Sequence, residues 1–347
     1  MTETQSAGHH TRREIMSQPE VWAAALDELD THVDSLAALF HRHDYGAVYF
    51  TGCGSTYYLS LAAAAVFQQL TGIPAAGLPA SELWHAPSAL SRRLAPALLI
   101  AVSRSGETTE TVRACERFRA EGRGHVMTLG CYPGRSLESQ GDINLLFPSA
   151  QEESVAQTRA FSTLYLATTA LALIAGGHRA QLAELARLPA VAQRLLSTYG
   201  DTAAAIGRDP AIDRFYFLGS GPVYGLACEL SLKMKEMSLS HSEPFHAMEF
   251  RHGPRAMATA GACAVGLISG DRASQEHAVL EEVRSQGGRT FSLGDAGTDV
   301  AFASEVAAPL RNVLYLPVGQ LVGLERALAK GLNPDRPENL VAYVTLQ

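Results

Sequence analysis

The chain contains one unit twice, and this duplication constrains its fold more than any other feature. Residues 49–87 and 216–254 align without a gap at an offset of 167 positions. Both segments begin with an aromatic-rich strand pattern, pass through Gly-x-Gly into a helical pattern, and end in Glu-x-x-His-x-Pro. The identical pairs include Gly52/Gly219, Gly54/Gly221, Glu82/Glu249, His85/His252 and Pro87/Pro254. A repeat of this length predicts two copies of one domain.

Strand and helix patterns alternate in each copy. In the first copy, strands are predicted for "ALLIAV" (97–102), "HVMTLG" and "INLLFP", with a helix ended by Gly122 and a longer helix over 156–175. In the second, "AVGLISG", "TFSLG" and "VLYLPV" are predicted strands, with a helix over about 273–286. Such alternation predicts a mainly parallel sheet with helices on both faces. The expected fold is therefore α/β, with two tandem three-layer α/β/α domains of the doubly wound, flavodoxin-like kind.

The predicted domain limits follow from these patterns. They are a helical N-terminal segment over 1–30, a first domain over 31–190, a second domain over 191–330, and a Pro-rich, extended tail over 331–347.

Composition excludes several classes of protein. A formal net charge of −7 argues against a nucleic-acid-binding protein. The sequence has neither an apolar run of about 18 residues nor the apolar core of a signal peptide, so no membrane span is expected. Five cysteines occur without a Cys-x-x-Cys pair, which indicates a reducing compartment without disulfides or structural zinc. We expect a cytoplasmic protein with no metal and no cofactor.

The segment "AVSRSGETTETV" (101–112) is predicted to bind an anion. It places Ser103, Ser105, Gly106 and Thr108 where a buried strand turns into a helix. Backbone N–H groups and the helix dipole favour anions at a helix N-terminus, and ligands bind at the carboxyl ends of parallel strands. Helix capping alone is the alternative, but three hydroxyls with one glycine favour phosphate. The hydroxyls of Ser55 and Thr56 follow a neighbouring strand.

The corresponding loop of the second copy, "LISGDRAS", has Asp271 after its glycine. A carboxylate there repels phosphate, so the first domain is expected to hold the phosphate and the second is not.

The second copy has charges where the first has none. The charged residues Glu229, Lys233, Lys235 and Glu236 align with Ala62, Val66, Gln68 and Gln69. The chain contains 28 Lys plus Arg residues, and Lys233, Lys235 and Lys330 are its three lysines. Lysine differs from arginine in having an amine that titrates when buried or forms a Schiff base. We interpret Lys233 and Glu236 as catalytic.

Helical spacing separates the two lysines of this segment. The predicted buried stripe consists of Val223, Ala227, Leu230, Met234 and Met237. Glu229, Lys233 and Glu236 follow one adjacent edge at i, i+4 and i+7, whereas Lys235 points elsewhere. The alternative is a surface ladder of ion pairs worth a few tenths of a kcal/mol.

His252 is a further catalytic candidate. In "EFRHGP", Gly253 and Pro254 predict a tight turn that displays the imidazole. A structural histidine is the alternative, since His85 holds the same place in the uncharged copy.

Several motifs in order resemble the sugar isomerase (SIS) family with two tandem domains. They are "REIMSQP", "CGST", "SRSGET", "ESVAQTRAF", "LKMKEMSLSHSEPF", "EFRHGP" and "RPENL". The likeness is nearest to the isomerase half of glutamine–fructose-6-phosphate aminotransferases and to the related glucosamine-6-phosphate deaminases. It implies that a sugar phosphate is bound by Ser55, Thr56, Ser103, Arg104, Ser105, Thr108, Val155 and Gln157.

The resemblance also implies catalytic roles and a homodimer. Glu236 would carry a proton between C1 and C2, His252 of a partner subunit would help to open the ring, and Lys233 would lie beside them. Two departures from the aminotransferases stand out. A glutaminase domain is not expected, and Ala342 stands where their tail has a Schiff-base lysine. Whether Lys235 or Lys330 replaces that lysine stays open.

These features lead to three hypotheses. The first is an amino-sugar phosphate isomerase that converts glucosamine 6-phosphate, or a close relative, to a ketose 6-phosphate and ammonia. The second is a deglycase for 6-phosphorylated fructosamines, which needs a larger pocket. The third is a non-catalytic sugar-phosphate sensor, disfavoured by the acidic balance and by the lack of a helix-turn-helix extension.

Overall fold

The computed structural model describes residues 6–86 and 96–346. In these ranges the helices are α1 His9–Met16, α2 Gln18–Asp30, α3 Val33–Arg42, α4 Ser55–Thr71, α5 Ala80–His85, α6 Thr109–Ala120, α7 Arg159–Ala175, α8 Leu182–Leu185, α9 Leu188–Arg208, α10 Tyr224–Ser238, α11 Ala273–Ser285 and α12 Tyr315–Ala329. The strands are β1 Ala47–Gly52, β2 Ala75–Pro79, β3 Ala97–Ser103, β4 Gly124–Gly130, β5 Ile143–Leu146, β6 Arg214–Gly219, β7 His241–His246, β8 Ala262–Leu267, β9 Arg289–Gly294 and β10 Val300–Ala301.

The chain divides into two compact units. The β1–β5 unit comprises Glu20–Gln151, Arg159–Ala186 and Val341–Gln347. The β6–β10 unit comprises the N-terminal residues to Pro19, together with Glu152–Thr158 and Arg187–Leu340. Both units are thus assembled from segments that are separate in the sequence. The limits expected at 31–190 and 191–330 stay a prediction.

Each unit contains one five-stranded parallel sheet. The strand orders are β2-β1-β3-β4-β5 and, read in the same direction, β7-β6-β8-β9-β10. Both are the 2-1-3-4-5 order of flavodoxin-like folds, in which helices cover the two faces. The strands β1, β3 and β8 are buried along their whole length, as expected for central strands between helices. The predicted fold class is confirmed.

The two Gly-x-Gly segments adopt the same backbone for the same reasons. Gly54 and Gly221 have φ values of 54° and 55°, in the region that favours glycine. A Cβ on Gly52 would lie 2.4 Å from the Thr56 Oγ1, and one on Gly219 would lie 2.8 Å from a backbone carbonyl oxygen. The helix therefore packs too closely on the strand for any side chain at the first glycine. The Pro87 match lies outside the described residues.

One predicted strand is wrong. "VLYLPV" (313–318) lies at the end of a 3₁₀ turn, Leu310–Leu314, and at the start of α12, whereas the last strand is β10. Residues 310–325 are buried without interruption, so this helix is buried on all sides. A short apolar run of that kind does not distinguish a buried strand from a buried helix.

Residues 331–346 contain neither helix nor strand, and the tail expected over 331–347 stays a prediction. Among the helices of the described ranges, none has the length and apolar character needed to cross a membrane.

Candidate active site

The loop between β3 and α6 forms a compact cradle in the β1–β5 unit. Its side chains Ser103, Arg104 and Ser105 are all less than 10% exposed, at 2%, 5% and 8%. The Gly106 N–H donates to the Ser103 Oγ at 3.1 Å, and the next backbone N–H donates to the Ser105 Oγ at 3.2 Å. Both hydroxyls thus brace the loop as acceptors and retain an O–H that can be donated to an anion. Thr108 is the N-cap residue of α6.

An acidic residue of this loop is held by a neighbouring loop. The Glu107 carboxylate accepts hydrogen bonds from the Ser136 N–H at 3.0 Å and from the Ser136 Oγ at 2.6 Å. The hydrogen bond from Ser136 keeps the pKa of Glu107 below its ordinary value. The carboxylate next to the cradle is therefore engaged in fixing the two loops.

The end of β1 contributes two buried hydroxyls at the start of α4, those of Ser55 and Thr56. The Thr56 Oγ1 donates to the Cys53 carbonyl at 3.0 Å and accepts from the Cys53 N–H at 2.9 Å. This hydroxyl braces its own turn, so its predicted contact with phosphate competes with an existing role. Burial raises the pKa of the Cys53 thiol to about 11, which keeps it protonated near neutral pH.

The C-terminal tail lies against the cradle within the same unit. The Arg104 guanidinium donates to the Ala342 carbonyl at 2.9 Å. The Thr109 N–H at the start of α6 donates to the Val344 carbonyl at 3.3 Å, and the Leu346 N–H donates to the Thr109 Oγ1 at 3.0 Å. The position at which the aminotransferases have a lysine thus contributes a backbone acceptor to Arg104.

The matching loop of the β6–β10 unit is filled by an internal carboxylate. Glu276, on the first turn of α11, is 3% exposed and accepts from the Ser269 N–H at 2.6 Å and from the Ser269 Oγ at 3.0 Å. Both donors of Ser269 are therefore occupied by this carboxylate. Asp271 in this loop is exposed and pairs with Arg272.

Helix α10 holds a buried cation between two carboxylates. The Lys233 side chain is 1% exposed; its Nζ lies 3.4 Å from the Glu229 Oε1 and donates a short hydrogen bond to the Glu236 Oε2. Glu229 is fully buried, whereas Glu236 is 17% exposed. The predicted edge is confirmed, and so is the burial of the five apolar residues of the stripe. Lys235, predicted to point elsewhere, is exposed.

A cavity of about 250 Å³ lies at the C-terminal end of α10. Its lining consists of Glu236, Met237, Leu239, Gly331, Leu332, Asn333, Arg336, Pro337 and Glu338. Glu236 is the member of the buried trio that reaches this cavity. Arg336 and Glu338 are two further charged residues of this lining.

The segment with Val155 and Gln157 belongs to the same unit as α10. The Glu14 carboxylate, fully buried, accepts hydrogen bonds from the Ser154 N–H at 3.2 Å and from the Ser154 Oγ. The Val155 N–H donates to the Asp335 carbonyl at 3.0 Å. The Gln157 Oε1 is buried and has no hydrogen-bond partner among the described residues, so it is available to a ligand.

His252 is exposed, as the predicted turn requires. The backbone N–H of His252 donates to the Glu249 carbonyl at 2.9 Å. Gly253 has a φ of 115°, so the chain reverses there through a backbone conformation that favours glycine. Within residues 6–86 and 96–346, neither a hydrogen bond nor an ion pair joins the side chains of His252 and Glu236.

Lys330 has a structural contact. Its Nζ donates to the Ser238 carbonyl at 2.6 Å, to the Leu239 carbonyl at 3.1 Å and to the Ser240 Oγ at 3.3 Å. These three acceptors use the three N–H donors of an ammonium group. Lys330 therefore caps the C-terminal end of α10, and burial lowers its pKa.

The candidate residues divide between the units. Ser55, Thr56, Ser103, Arg104, Ser105 and Thr108 lie in the β1–β5 unit, and Val155, Gln157, Lys233, Glu236 and His252 lie in the β6–β10 unit. Sequence reasoning missed Arg336, Glu338 and the buried Glu14. Glu14 lies in "REIMSQP", and Arg336 and Glu338 lie in "RPENL". The resemblance of these two motifs to the family pointed to the segments but did not indicate a role for the three side chains.

Comparisons with known proteins agree with the duplication. The sequence model described as "SIS domain" matches residues 43–174 and 211–318, one match in each copy. The chain is 28% identical over 362 residues to the glutamine–fructose-6-phosphate aminotransferase of Bordetella pertussis. That alignment covers 98% of this chain and 58% of the relative, so the chain spans less than two thirds of that protein.

Two solved structures share the architecture. Glucosamine-6-phosphate deaminase from Thermotoga maritima superposes with a TM-score of 0.76 at 26% identity, over 93% of this chain and 100% of that one. Tagatose-6-phosphate ketose/aldose isomerase from Escherichia coli superposes with a TM-score of 0.84 at 21% identity, over 99% and 98%. The second likeness shows the fold alone.

Proposed function

This chain belongs to the SIS domain family, and we propose that it is an amino-sugar phosphate isomerase that releases ammonia. The observation that carries the proposal is the buried Lys233 between Glu229 and Glu236, with Glu236 at the wall of a cavity. A carboxylate that faces a cavity and is backed by a buried cation is suited to moving a proton between adjacent carbons. The likeness to a glucosamine-6-phosphate deaminase supports the amino-sugar substrate.

The proposed reaction begins with binding and ring opening. The cradle of Ser103, Ser105 and Thr108 would hold the 6-phosphate with hydroxyl and backbone donors. Gln157 would donate to or accept from a sugar hydroxyl. His252 would move a proton during opening of the pyranose ring. As the family resemblance implies, this histidine would come from a second copy of the chain in a homodimer.

Isomerisation and hydrolysis would follow. The Glu236 carboxylate would remove the proton from C2 and return it to C1, while the C1 oxygen gains a proton and the amine nitrogen loses one. The C1 aldehyde and C2 amine thereby become a C1 alcohol and a C2 imine. Water would then add to C2 and the C2–N bond would break, giving the ketose 6-phosphate and ammonia. The Lys233 ammonium would orient Glu236 and balance its charge throughout.

Ammonia release tests the proposal directly. The purified protein is expected to release ammonia from glucosamine 6-phosphate or from another amino-sugar phosphate in a small panel of epimers and N-substituted forms. Glu236→Gln is expected to abolish turnover and to retain sugar-phosphate binding by calorimetry, whereas the exposed Lys235→Met should keep both. A folded protein that binds these sugars and turns none over would contradict the enzyme and favour a sensor.

A deglycase is a second candidate, favoured by the charges of the cavity. Arg336 lines the same cavity as Glu236 and would pair with the carboxylate of an amino acid attached to the sugar. Glu236 would then move a proton from C1 to C2 while the C2 oxygen gains a proton and the amine nitrogen loses one, which gives a C1 imine and a C2 alcohol. Water would add to C1 and the C1–N bond would break, giving an aldose 6-phosphate and the free amino acid. Under this candidate, Arg336→Gln would raise KM for a 6-phosphorylated fructosamine and leave KM for glucosamine 6-phosphate unchanged.

A further inference from the structure

Two arginines on either side of His252 converge on one carboxylate. The Arg251 guanidinium contacts Glu282 of α11 in a bidentate manner, with Nε to Oε2 at 3.1 Å and Nη2 to Oε1 at 2.7 Å. The Arg255 Nη1 donates a further short hydrogen bond to the Glu282 Oε2. Glu282 is 33% exposed and the arginines are 25% and 35% exposed, so the cluster is half-buried. A bidentate pair fixes direction as well as distance.

The turn between these arginines is held from the side of the sheet by two contacts. Phe250 is fully buried beside Tyr216 of β6, and the Arg214 Nε donates to the Met257 carbonyl at 3.0 Å. The turn consists of two 3₁₀ segments, Glu249–Arg251 and Pro254–Met257, joined through His252 and Gly253. Its backbone hydrogen bonds are local, such as those from the His252 N–H to the Glu249 carbonyl and from the Ala256 N–H to the Gly253 carbonyl. These local bonds set the shape of the turn. The contacts with Glu282 attach it to α11.

The uncharged copy holds its histidine differently. At the offset of 167, Trp84 stands in place of Arg251 and His85 in place of His252. The two rings of the first copy stack, with centroids 4.2 Å apart and planes 28° apart. In the second copy the stacking tryptophan is replaced by Arg251, whose ion pair with Glu282 connects the turn to α11. This exchange releases the imidazole from stacking and leaves its location to the turn.

We propose that Glu282 is a positioning residue that acts through His252. Its carboxylate holds both ends of the turn, so that the exposed imidazole meets the sugar ring in one orientation. The inference rests on the proposed function, because it assigns Glu282 to the ring-opening step. Glu282 itself touches no substrate. Its neighbour Glu281 pairs with Arg284 of the same helix and, among the described residues, has no ion pair with the turn, so it provides a matched control.

Steady-state kinetics on the full chain test the proposal. Glu282→Gln keeps the size of the side chain and removes its charge, and kcat for the amino-sugar phosphate is expected to fall by about 10-fold to 100-fold, the scale of a misplacement of about 1 Å. The dissociation constant of the sugar phosphate should stay within about twofold of the wild-type value, because the phosphate contacts lie elsewhere. Glu281→Gln should keep kcat. Equal kcat in the two variants would overturn the proposal.

A double-mutant cycle distinguishes positioning from general loosening of the fold. In a His252→Asn background, Glu282→Gln is expected to cause no further loss, because both changes remove one function. Independent, multiplicative losses would overturn the positioning role and leave the proposed function intact. Wild-type turnover by His252→Asn would overturn the roles of both residues, and no turnover by the wild-type chain would overturn the proposed function.

Folding is checked separately. Arg255→Gln removes one of the two anchors and keeps the bidentate contact, so an intermediate kcat with an unchanged melting temperature is expected. If Glu282→Gln unfolds the chain, Arg255→Gln tests the proposal in its place. A wild-type kcat in Arg255→Gln would overturn the proposal. A lower kcat in Arg255→Gln, with no further loss when the same change is made in the His252→Asn background, would support it.

Discussion

Replacement of Lys233 by methionine is expected to destabilise the protein strongly. Methionine fills a similar volume and removes the ammonium that balances two carboxylates. Glu229 is fully buried and Lys233 is 1% exposed, so water cannot take over the role of the cation. Glu236 is 17% exposed and can be rehydrated in part. The loss should therefore come mainly from the pairing of Lys233 with Glu229.

The magnitude follows from this burial. Removing one partner of a buried ion pair costs about 3–5 kcal/mol. Near the melting temperature, 1 kcal/mol corresponds to about 2–4 °C for a unit of this size. The melting temperature of Lys233→Met should thus fall by roughly 6–20 °C, multiplying the two ranges. Lys235→Met, two residues away and exposed, should change the free energy of unfolding by less than about 0.5 kcal/mol.

Urea unfolding followed by circular dichroism measures both variants against the wild-type protein. A double variant, with Glu229→Leu added to Lys233→Met, removes the buried carboxylate as well and is expected to recover most of the lost stability. Equal stability of Lys233→Met and Lys235→Met would refute the reasoning. A double variant less stable than Lys233→Met would do the same, because burial of an unbalanced charge would then not be the cause.

Three further predictions concern pH, the thiols and the Gly-x-Gly turn. The hydrogen bond from Arg251 holds the pKa of Glu282 below 4.5, so the stability lost in Glu282→Gln should be present in full above pH 4.5 and disappear below it, as measured by urea unfolding across acidic pH. With a pKa of about 11, Cys53 should react with Ellman's reagent at mildly alkaline pH about a hundredfold more slowly than free cysteine, and a rate like that of the unfolded chain would contradict its burial. Gly54→Ala should lower the free energy of unfolding by about 1–3 kcal/mol through its backbone conformation. Gly52→Ala should lower it more, because its Cβ would lie 2.8 Å from backbone. The reverse order in urea unfolding would count against close packing of the helix on the strand.

The fold could be predicted because the duplication shows each element of the repeated segment twice. Strand β6, Arg214–Gly219, begins and ends 167 residues after β1, Ala47–Gly52, so the frame found in the sequence holds in the structure. The prediction failed at 313–318, which lies outside the aligned segments. There the apolar run had to be interpreted alone, and burial on all sides removed the periodicity that identifies a helix.

The site could be predicted where its contacts are local. Lys233 meets Glu229 and Glu236 at i−4 and i+3 on one helix, a geometry that spacing alone specifies. The contacts that support the site are not local. Glu282 meets Arg251 across 31 residues, and Glu14 meets Ser154 across 140. Such pairings depend on the tertiary fold, and no periodicity in the sequence encodes them.

The buried charges of α10 are best explained by chemistry, because the first copy shows that the scaffold does not need them. Val66, aligned with Lys233, is equally buried at 1%, and Ala62, aligned with Glu229, is equally inaccessible. Apolar residues of suitable size at such positions are as stable as an ion pair or more stable, since burial of charge requires desolvation. The helix has apolar residues at these positions in one copy and a buried ion pair, which requires desolvation, in the other. The charges of the second copy are therefore explained by something other than folding. The loop at Glu276 is the reciprocal case, in which the second copy has an internal carboxylate that accepts from the Ser269 N–H.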